Sequence, residues 1–558
     1  MKDKIETILR DALKNALESG EFKECHICDF SVEVPKNPDH GHFASNMAMI
    51  LSSSQKLSPR KTADILINHM KKDFFERVEI AGPGFINFFI NREKWFDTLL
   101  YAIKAGPDFG RSSVGEGKKI LIEFVSANPT GPLHLGHGRG AALGDALSRI
   151  TEFCGYAVER EFYINDAGKQ IDMLGKSVLA RLKHMTDPSC PFPEDGYCGD
   201  YINDLAAEIL KLHSNINELD GQKASDICAS AGKAIMLNAI KEDLNLFRVK
   251  FDNWFSEKED IYSSGLLKAT LDNMNAKGIL YEEDGGLWIN TAINGDDKNR
   301  VLRKRTGEYT YFAADLAYHL QKYSRGYHMA VNIWGADHHG YIPRIQAALQ
   351  SSGVPDNWLH VLITQLVKLW KGKEEVKMSK RSGNFISLRE VCDEVGTDAV
   401  RFVFLSKSHD SSLDFDMDLV KQKTNENPVF YVQYAHARIH SIFKKASEEG
   451  LSLPPDINTV IHRLELPEEI DLIRKLADFP ALLQDIVKSF EPHKLTFYLQ
   501  EIAAGFHHYF YMGSKNSEYR IVCNDRELSS ARLALAEGLK IVLNNGLNLL
   551  GIQSPEQM

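Results

Sequence analysis

The spacing of apolar positions changes character along the chain, and each change marks a different kind of element. Residues from Lys2 onward open as an amphipathic helix, an extended turn runs from about Pro35 to Asn46, and a second helix follows Ser58-Pro59. The run Gly84-Phe85-Ile86-Asn87-Phe88-Phe89-Ile90 reads as a strand, so residues 1–112 form an α+β module. Over 113–425 apolar strands alternate with helices, which predicts a parallel sheet whose ligands gather at the carboxyl ends of its strands. Lys118 to Val125 is expected to be a buried strand, and Gly138-Arg139-Gly140-Ala141-Ala142-Leu143-Gly144 the opening of a helix. A polar segment from about 190 to 300 reads as an insertion into that fold and is given no chemistry. Beyond 426 the period is helical throughout, with Leu535, Leu539, Val542 and Leu543 on one face, so 426–558 is expected to be an all-α bundle. The fold class is multidomain α/β.

Two stretches about 240 residues apart carry the chemistry: His134-Leu135-Gly136-His137 and Lys377-Met378-Ser379-Lys380-Arg381. A strand, a tight turn and a helix start make an anion site, because backbone N–H groups and the helix dipole both favour phosphate there. Gly136, Gly138, Gly140 and Gly144 are expected to let a nucleotide lie against the main chain, while His134 and His137 donate hydrogen bonds to a phosphate gaining charge. Taken alone, two histidines three apart also suit an ordinary helix start or a metal. The second stretch lies in a charged, glycine-bounded loop over 371–384, and swinging its lysines onto a triphosphate during reaction would favour the transition state over bound ATP. A solvated charge run is the plain alternative, but it leaves the distant histidines unexplained.

At 558 residues the chain is too long for one core. No apolar run approaches membrane-spanning length and no apolar signal core follows Met1, so a cytoplasmic protein without membrane contact is expected. Eight scattered cysteines give no disulfide framework. Cys25-His26-Ile27-Cys28 lacks a second pair at metal spacing, so free thiols are favoured over zinc and no resident metal is expected. The net charge of −10 argues against broad polyanion binding, so any RNA contact must use local basic patches.

Both motifs, in this order, resemble the HIGH and KMSKS sequences of class I aminoacyl-tRNA synthetases. Flanking blocks narrow the resemblance to the arginyl-tRNA synthetases: Val34 to Asn46, Ser126-Ala127-Asn128-Pro129-Thr130-Gly131-Pro132-Leu133, Tyr163-Ile164-Asn165-Asp166-Ala167-Gly168 and Trp334-Gly335-Ala336-Asp337-His338-His339-Gly340. The likeness implies a Rossmann-type catalytic domain, an N-terminal domain touching the tRNA corner and a helical anticodon-binding domain. It also implies L-arginine, ATP with Mg²⁺ and tRNA(Arg) as substrates, and a monomer is expected. By the same resemblance His134, His137, Lys377 and Lys380 are catalytic, and Pro132, Gly136, Gly138, Gly335, Asp337, His338, Met378 and Ser379 contact ATP. Some members of the family carry glutamine where Ala336 stands, which leaves one amino-acid contact unassigned.

An arginine pocket needs carboxylates for a planar five-donor cation and an apolar wall for its stem. Glu123 interrupts the apolar run Ile120 to Val125, where a buried carboxylate demands a cation, either the substrate's or the protein's own. Tyr311 and Asp315, four apart, share a face if helical. The resemblance assigns Glu123, Ser126, Asn128, Tyr311 and Asp315 to arginine, with the acids on the guanidinium. Asn37, His40, Phe43 and Asn46 are candidates for the tRNA corner, although Phe43 could equally pack inward. Tyr431, Tyr434 and Arg438, with His436, are candidates for unstacked bases, although aromatic residues at helical spacing are more often core.

Overall fold

The computed structural model describes residues 1–25, 29–185, 187–376 and 386–558. Lys377 to Phe385, and the His26-Ile27-Cys28 part of the cysteine pair, lie outside the described residues. In the N-terminal module, α1 (Lys2–Glu18) buries Ile5, Ile8, Leu9, Ala12, Leu13 and Ala16, one face at helical spacing. Four short strands follow the order β1-β2-β4-β3: β1 (Val32–Glu33), β2 (Phe43–Ser45), β3 (Phe75–Ala81) and β4 (Phe85–Ile90). Helices α2 (Met47–Gln55) and α3 (Pro59–Asn68) cover them, and the Ser58 side chain caps α3 by accepting from the Lys61 N–H with proline at the first helical position. Helix α4 (Arg92–Ala105) leads out of the module.

The catalytic region is built on five parallel strands in the order β12-β11-β5-β6-β7. These are β5 (Lys119–Glu123), β6 (Ala157–Ile164), β7 (Asn253–Ser256), β11 (Met329–Gly335) and β12 (Leu359–Thr364). Central β5 is buried on both faces: Ile120 and Ile122 join the core under α5 (Leu135–Phe153), and Leu121 joins a second core under α10 (Tyr311–Ser324). The order reverses direction beside β5, so the HIGH turn sits where two crossovers diverge.

One expectation needs correction. The stretch from 190 to 300 is not a single insertion, because β7 lies inside it and pairs with β6 as the sheet's outer strand. What is added falls on either side of that strand. Before it, α6 (Lys169–His184), α7 (Tyr201–Leu212) and α8 (Gly221–Leu246) pack round their own core of Leu174, Val178, Ile202 and Ile209. After it come α9 (Leu266–Ala276) and an antiparallel sheet of β8 (Leu280–Glu283), β9 (Gly286–Ile289) and β10 (Arg300–Arg303).

Beyond β11 the chain forms α11 (Ile342–Ser351), then β13 (Val367–Lys371) and β14 (Glu374–Val376), a hairpin leading into the lysine motif. Next come α12 (Leu388–Val395), α13 (Thr397–Leu405), β15 (Leu413–Asp416), which pairs parallel with β13, and α14 (Met417–Lys421). The bundle comprises α15 (Pro428–Glu448), α16 (Pro467–Ala477), α17 (Phe479–Ser489), α18 (His493–Lys515) and α19 (Arg526–Leu549). A buried cation ties it to the catalytic sheet. Arg401 donates to Asp145 of α5 at 2.5 Å, to the Phe247 carbonyl at 2.8 Å and to the Leu550 carbonyl at 2.9 Å. Gly551 has φ 69°, and a Cβ there would lie 2.3 Å from the Arg401 guanidinium, so the chain turns back only with glycine at this point. Arg401→Met should cost about 3 kcal/mol by taking the buried donor from the Phe247 and Leu550 carbonyls and one of two arginines, the other being Arg149, from Asp145, read as a lowered denaturant midpoint.

Candidate active site

The carboxyl end of β5 ends in strained backbone. Val125 and Ser126 have φ of 68° and 40°, and the Ser126 N–H donates to the Phe124 carbonyl at 2.9 Å, a left-handed γ-turn that is costly for a β-branched valine. The turn folds the Ser126 hydroxyl back, where it donates to Glu123 Oε1 at 2.8 Å and accepts from the Tyr163 N–H at 3.2 Å. Asn128 follows, half-buried, its amide donating to Gln170 Oε1 at 2.6 Å.

The two motif histidines open α5 as a reciprocal cap. His134 Nδ1 accepts from the His137 N–H and His137 Nδ1 from the His134 N–H, both at 3.3 Å, and the rings stack with centroids 3.6 Å apart. With both Nδ1 atoms accepting, a neutral ring carries its hydrogen on Nε2, so both histidines are Nε2–H donors. The expected glycine roles divide. Gly136 is half-exposed and a Cβ there would meet only the His134 ring, whereas Gly138 is buried and a Cβ would lie 2.6 Å from Leu388 and 2.9 Å from Phe404. Gly144 likewise admits Phe124, at 2.2 Å. Gly138 and Gly144 therefore allow close packing of α5 against its neighbours.

The chain that follows the second motif meets the first. Ser387 forms a β-bridge with His134, and the Leu388 N–H donates to the Leu133 carbonyl at 2.7 Å. Lys380 is seven positions before Ser387 in the sequence. Lys377, Met378, Ser379 and Lys380 themselves lie outside the described residues.

Below these loops a buried polar chain joins β5, α10 and β11. Lys322 is fully buried and pairs with Glu123; its ammonium also donates to Asn332 Oδ1 at 3.1 Å. Asn332 Nδ2 donates to His319 Nε2 at 2.9 Å, and His319 Nδ1 lies 3.3 Å from Asp315 Oδ1. The Tyr341 hydroxyl donates to Asp315 Oδ2 at 2.8 Å. Burial alone would raise the Asp315 carboxyl, but His319, Tyr341 and Lys322 outweigh it and hold it below the ordinary aspartate value. Glu123 thus already has its cation, Lys322, where the resemblance gave it to the guanidinium. Tyr311 is 73% exposed at the start of α10, one turn from Asp315, as the four-residue spacing predicts.

A further carboxylate lies beside these groups, and sequence reasoning missed it. Glu257 is 5% exposed and begins a π-helical turn directly after β7. Burial, with Asp166 and Asp315 nearby, pushes its carboxyl up to about 7 against hydrogen bonds from Tyr163 and Tyr262, and none of these four groups is a cation. Glu257, Asp315 and Glu123 all act on the Tyr163 hydroxyl, so the three acids lie around one ring. Further aromatic rings pack beside it: Tyr318 lies 4.6 Å from Tyr163 and 4.7 Å from Phe255, centroid to centroid. The available signal for Glu257 was an acid ending the apolar pair Trp254-Phe255, inside the stretch treated as insertion. For Lys322 it was a lysine two helical turns from Asp315.

Gly335, Asp337 and His338 are exposed at the carboxyl end of β11, with His338 Nε2 3.6 Å from Asp337 Oδ2. Among the described residues no cluster of three His, Cys, Asp or Glu side chains is placed to hold a metal ion. The tRNA-corner candidates separate: Asn37 and His40 are exposed, Asn46 accepts from the Ser31 N–H at 2.9 Å, and Phe43 is 2% exposed in the module's core. Phe43 cannot stack on a base, because its ring packs beside Trp95 under the sheet. In the bundle Arg438 lies over Tyr434 at 4.3 Å and Phe510 at 4.7 Å, and donates to His507, which bonds the Tyr431 carbonyl. His436 is buried and bonds the Pro555 carbonyl at 2.9 Å.

A doubly wound parallel sheet with a stacked histidine pair at its reversal point defines a class I aminoacyl-tRNA synthetase, and the family model for the class I (R) catalytic domain matches residues 103–441. An arginyl-tRNA synthetase N-terminal domain matches 3–90 and a DALR anticodon-binding domain matches 432–558. An arginine–tRNA ligase of Desulfosudis oleivorans is 45% identical, and one of Caldanaerobacter subterraneus 42%, with 100% of this chain covered and 100% and 99% of theirs. The Thermus thermophilus arginyl-tRNA synthetase structure superposes with a TM-score of 0.76 at 22% identity, covering 100% of both chains, a likeness of fold. This chain belongs to the arginyl-tRNA synthetase family.

An ionised Glu257 would attract a guanidinium and a protonated one would not, so the KM for arginine should rise about tenfold as pH falls from 8 to 6, while the KM for ATP stays flat. Glu257→Gln should weaken arginine, abolish that slope and leave the melting temperature at pH 8 unchanged or higher, since a buried carboxylate without a cation is removed. Arginine saturation curves across pH, with thermal melts, check both.

Proposed function

We propose that the chain joins arginine to tRNA in two steps, with Asp315 and Glu257 holding the guanidinium and the His134–His137 pair holding phosphate. The observation that supports this most directly is a buried carboxyl, Glu257, at the end of β7, with two tyrosines and two carboxylates but no lysine or arginine among the groups acting most on it, near Asp315, which His319 and Tyr341 orient. Tyr311 closes over the guanidinium, and the aromatic wall of Tyr163, Tyr318 and Phe255 takes the methylene stem. Glu123, oriented by Lys322 and Ser126, faces the substrate's ammonium end together with Asn128.

In the first step an arginine carboxylate oxygen attacks the α-phosphorus of Mg-ATP, the bond to the bridging oxygen breaks, and pyrophosphate leaves. The Nε2–H groups of His134 and His137 and the ammonium groups of Lys377 and Lys380 stabilise charge on the phosphates, and no side chain becomes covalently attached. Pro132, Gly136, Met378 and Ser379 shape the nucleotide's cradle, while Gly335 admits the ribose and Asp337 accepts its hydroxyls, with His338 alongside. In the second step a terminal ribose hydroxyl of tRNA(Arg) attacks the adenylate carbonyl, AMP leaves, and the hydroxyl proton passes to AMP phosphate or water. Asn37, His40 and Asn46 face the tRNA corner, and Tyr431, Tyr434 and Arg438 border the anticodon surface. Every group named comes from one chain, as a monomer in the cytoplasm requires. No helix among the described residues is long and apolar enough to cross a membrane.

Aminoacylation of total tRNA with a panel of amino acids tests the function: arginine alone should be attached, and attachment of another amino acid with equal efficiency overturns the reading. Lys380→Ala should lower kcat for activation by roughly a hundredfold or more with less than a threefold change in arginine KM. Asp315→Asn should do the reverse, raising arginine KM by about a hundredfold, since it strips the charge from a buried hydrogen-bonded pair. Steady-state ATP–pyrophosphate exchange, measured with and without tRNA, separates the two effects.

A further inference from the structure

A cleft of about 320 Å³ opens between the N-terminal sheet and the start of the helical bundle, far in sequence from every catalytic motif. Its walls carry His42, Arg77 of β3, Arg92 and Trp95 of α4, and Glu465 and Arg474 beside and within α16. On a chain of net charge −10, three arginines from three elements and both domains meet here. Arg77 lies flat on Phe89 at 3.7 Å and, among the described residues, pairs with exposed Glu79. Arg92 is exposed, donates to the Leu464 carbonyl and stands over Phe96 at 5.4 Å. Arg474 stands over Trp95 at 5.8 Å, and its buried Nε has no hydrogen-bond acceptor. The indole N–H of Trp95 also lacks one.

His42 adds to the excess of donors. Its Nδ1 accepts from the Ile90 N–H at 2.8 Å, which leaves hydrogen on Nε2. Burial, with Arg474 and Arg77 nearby, drives its pKa down to about 4. The acceptors on the walls, Glu76 and Glu465, are both exposed at the rim. Guanidinium groups spaced along two walls suit a ligand carrying repeated oxyanions rather than a single one, and planar donors recognise phosphate oxygens by paired hydrogen bonds.

We propose that this cleft grips the sugar–phosphate backbone of the bound tRNA, a positioning site that bridges the N-terminal module and the helical bundle. It rests on the reading of tRNA as substrate. Contacts of this kind set the register of the RNA and carry no base sequence. They also hold the two domains on one strand, so that the tRNA end reaches the adenylate in a fixed orientation.

The test is tRNA saturation of arginylation by the full-length protein at several salt concentrations, for wild type, Arg92→Gln and Arg474→Gln. Each variant should raise the tRNA KM about tenfold and flatten the logarithmic salt slope by about one, with ATP and arginine KM within twofold. Arg77→Gln, at an exposed position, is the variant to use if Arg474→Gln melts early, and should show the same slope change. Unchanged tRNA KM and slope in all three variants would overturn the proposal. So would quenching of tryptophan fluorescence by inorganic phosphate or AMP that the variants abolish while their tRNA KM stays wild-type, since the cleft would then take a small anion. A wild-type protein that fails to arginylate tRNA removes the functional reading instead, and retention of labelled tRNA on filters then decides the cleft by the same comparison of variants.

Discussion

The pocket depends on the buried ion pair between Lys322 and Glu123. Both side chains are almost wholly out of water, where an unpaired carboxylate would cost several kcal/mol, so the pair forms with the fold and before any substrate arrives. Its consequence is selective. Lys322 pairs with Glu123 from beneath, Asp315 is met by His319 and Tyr341, and Glu257 is left with no lysine or arginine among the groups acting most on it. The same lysine reaches Asp315 through Asn332 and His319, so the charge balance at one end of the cleft and the orientation of the carboxylate at the other are set by one connected chain.

Helix α5 carries this arrangement to the rest of the molecule. Its first turn holds the stacked histidines, its glycines admit Phe124, Leu388 and Phe404, and its buried Asp145 meets Arg401, which fastens the end of α19. Arg139 on the same helix donates to the carbonyls of Gln365, Ser408 and Ser411, fixing the loops between β12 and β15. The N-terminus of α5 therefore faces the chemistry while its buried length serves as a hub for the sheet, the loops and the bundle. Strain at Val125 and Ser126 is tolerated because it turns the chain from β5 toward that N-terminus.

The parts legible in the sequence were those governed by local rules. The strand at β5, the helix opened by His134, the shared face of Tyr311 and Asp315 and the all-helical end follow from periodicity and capping, which need only neighbours in the chain. What the sequence hid depends on distant partners. Lys322 could not be matched to Glu123 across 199 positions, and Glu257 looked like one acid among many in a polar stretch. Phe43 sits beside Asn46 in a polar motif yet is core, because β2 turns alternate residues to opposite faces. Gly138 reads like a phosphate glycine until Leu388, 250 positions later, is seen to fill the space above it. The strand β7 escaped notice because four residues between two inserted units are too few for a period to show.

On the function proposed above, a guanidinium meets two carboxyls, of which Glu257 is held largely protonated near pH 6 until the cation comes. Calorimetric titration with arginine at pH 6, repeated in buffers of different ionisation enthalpy, measures that proton directly. Release of about one proton per arginine, lost in Glu257→Gln, is the result expected. Tight binding with no linked proton, equal in both proteins, would contradict the account.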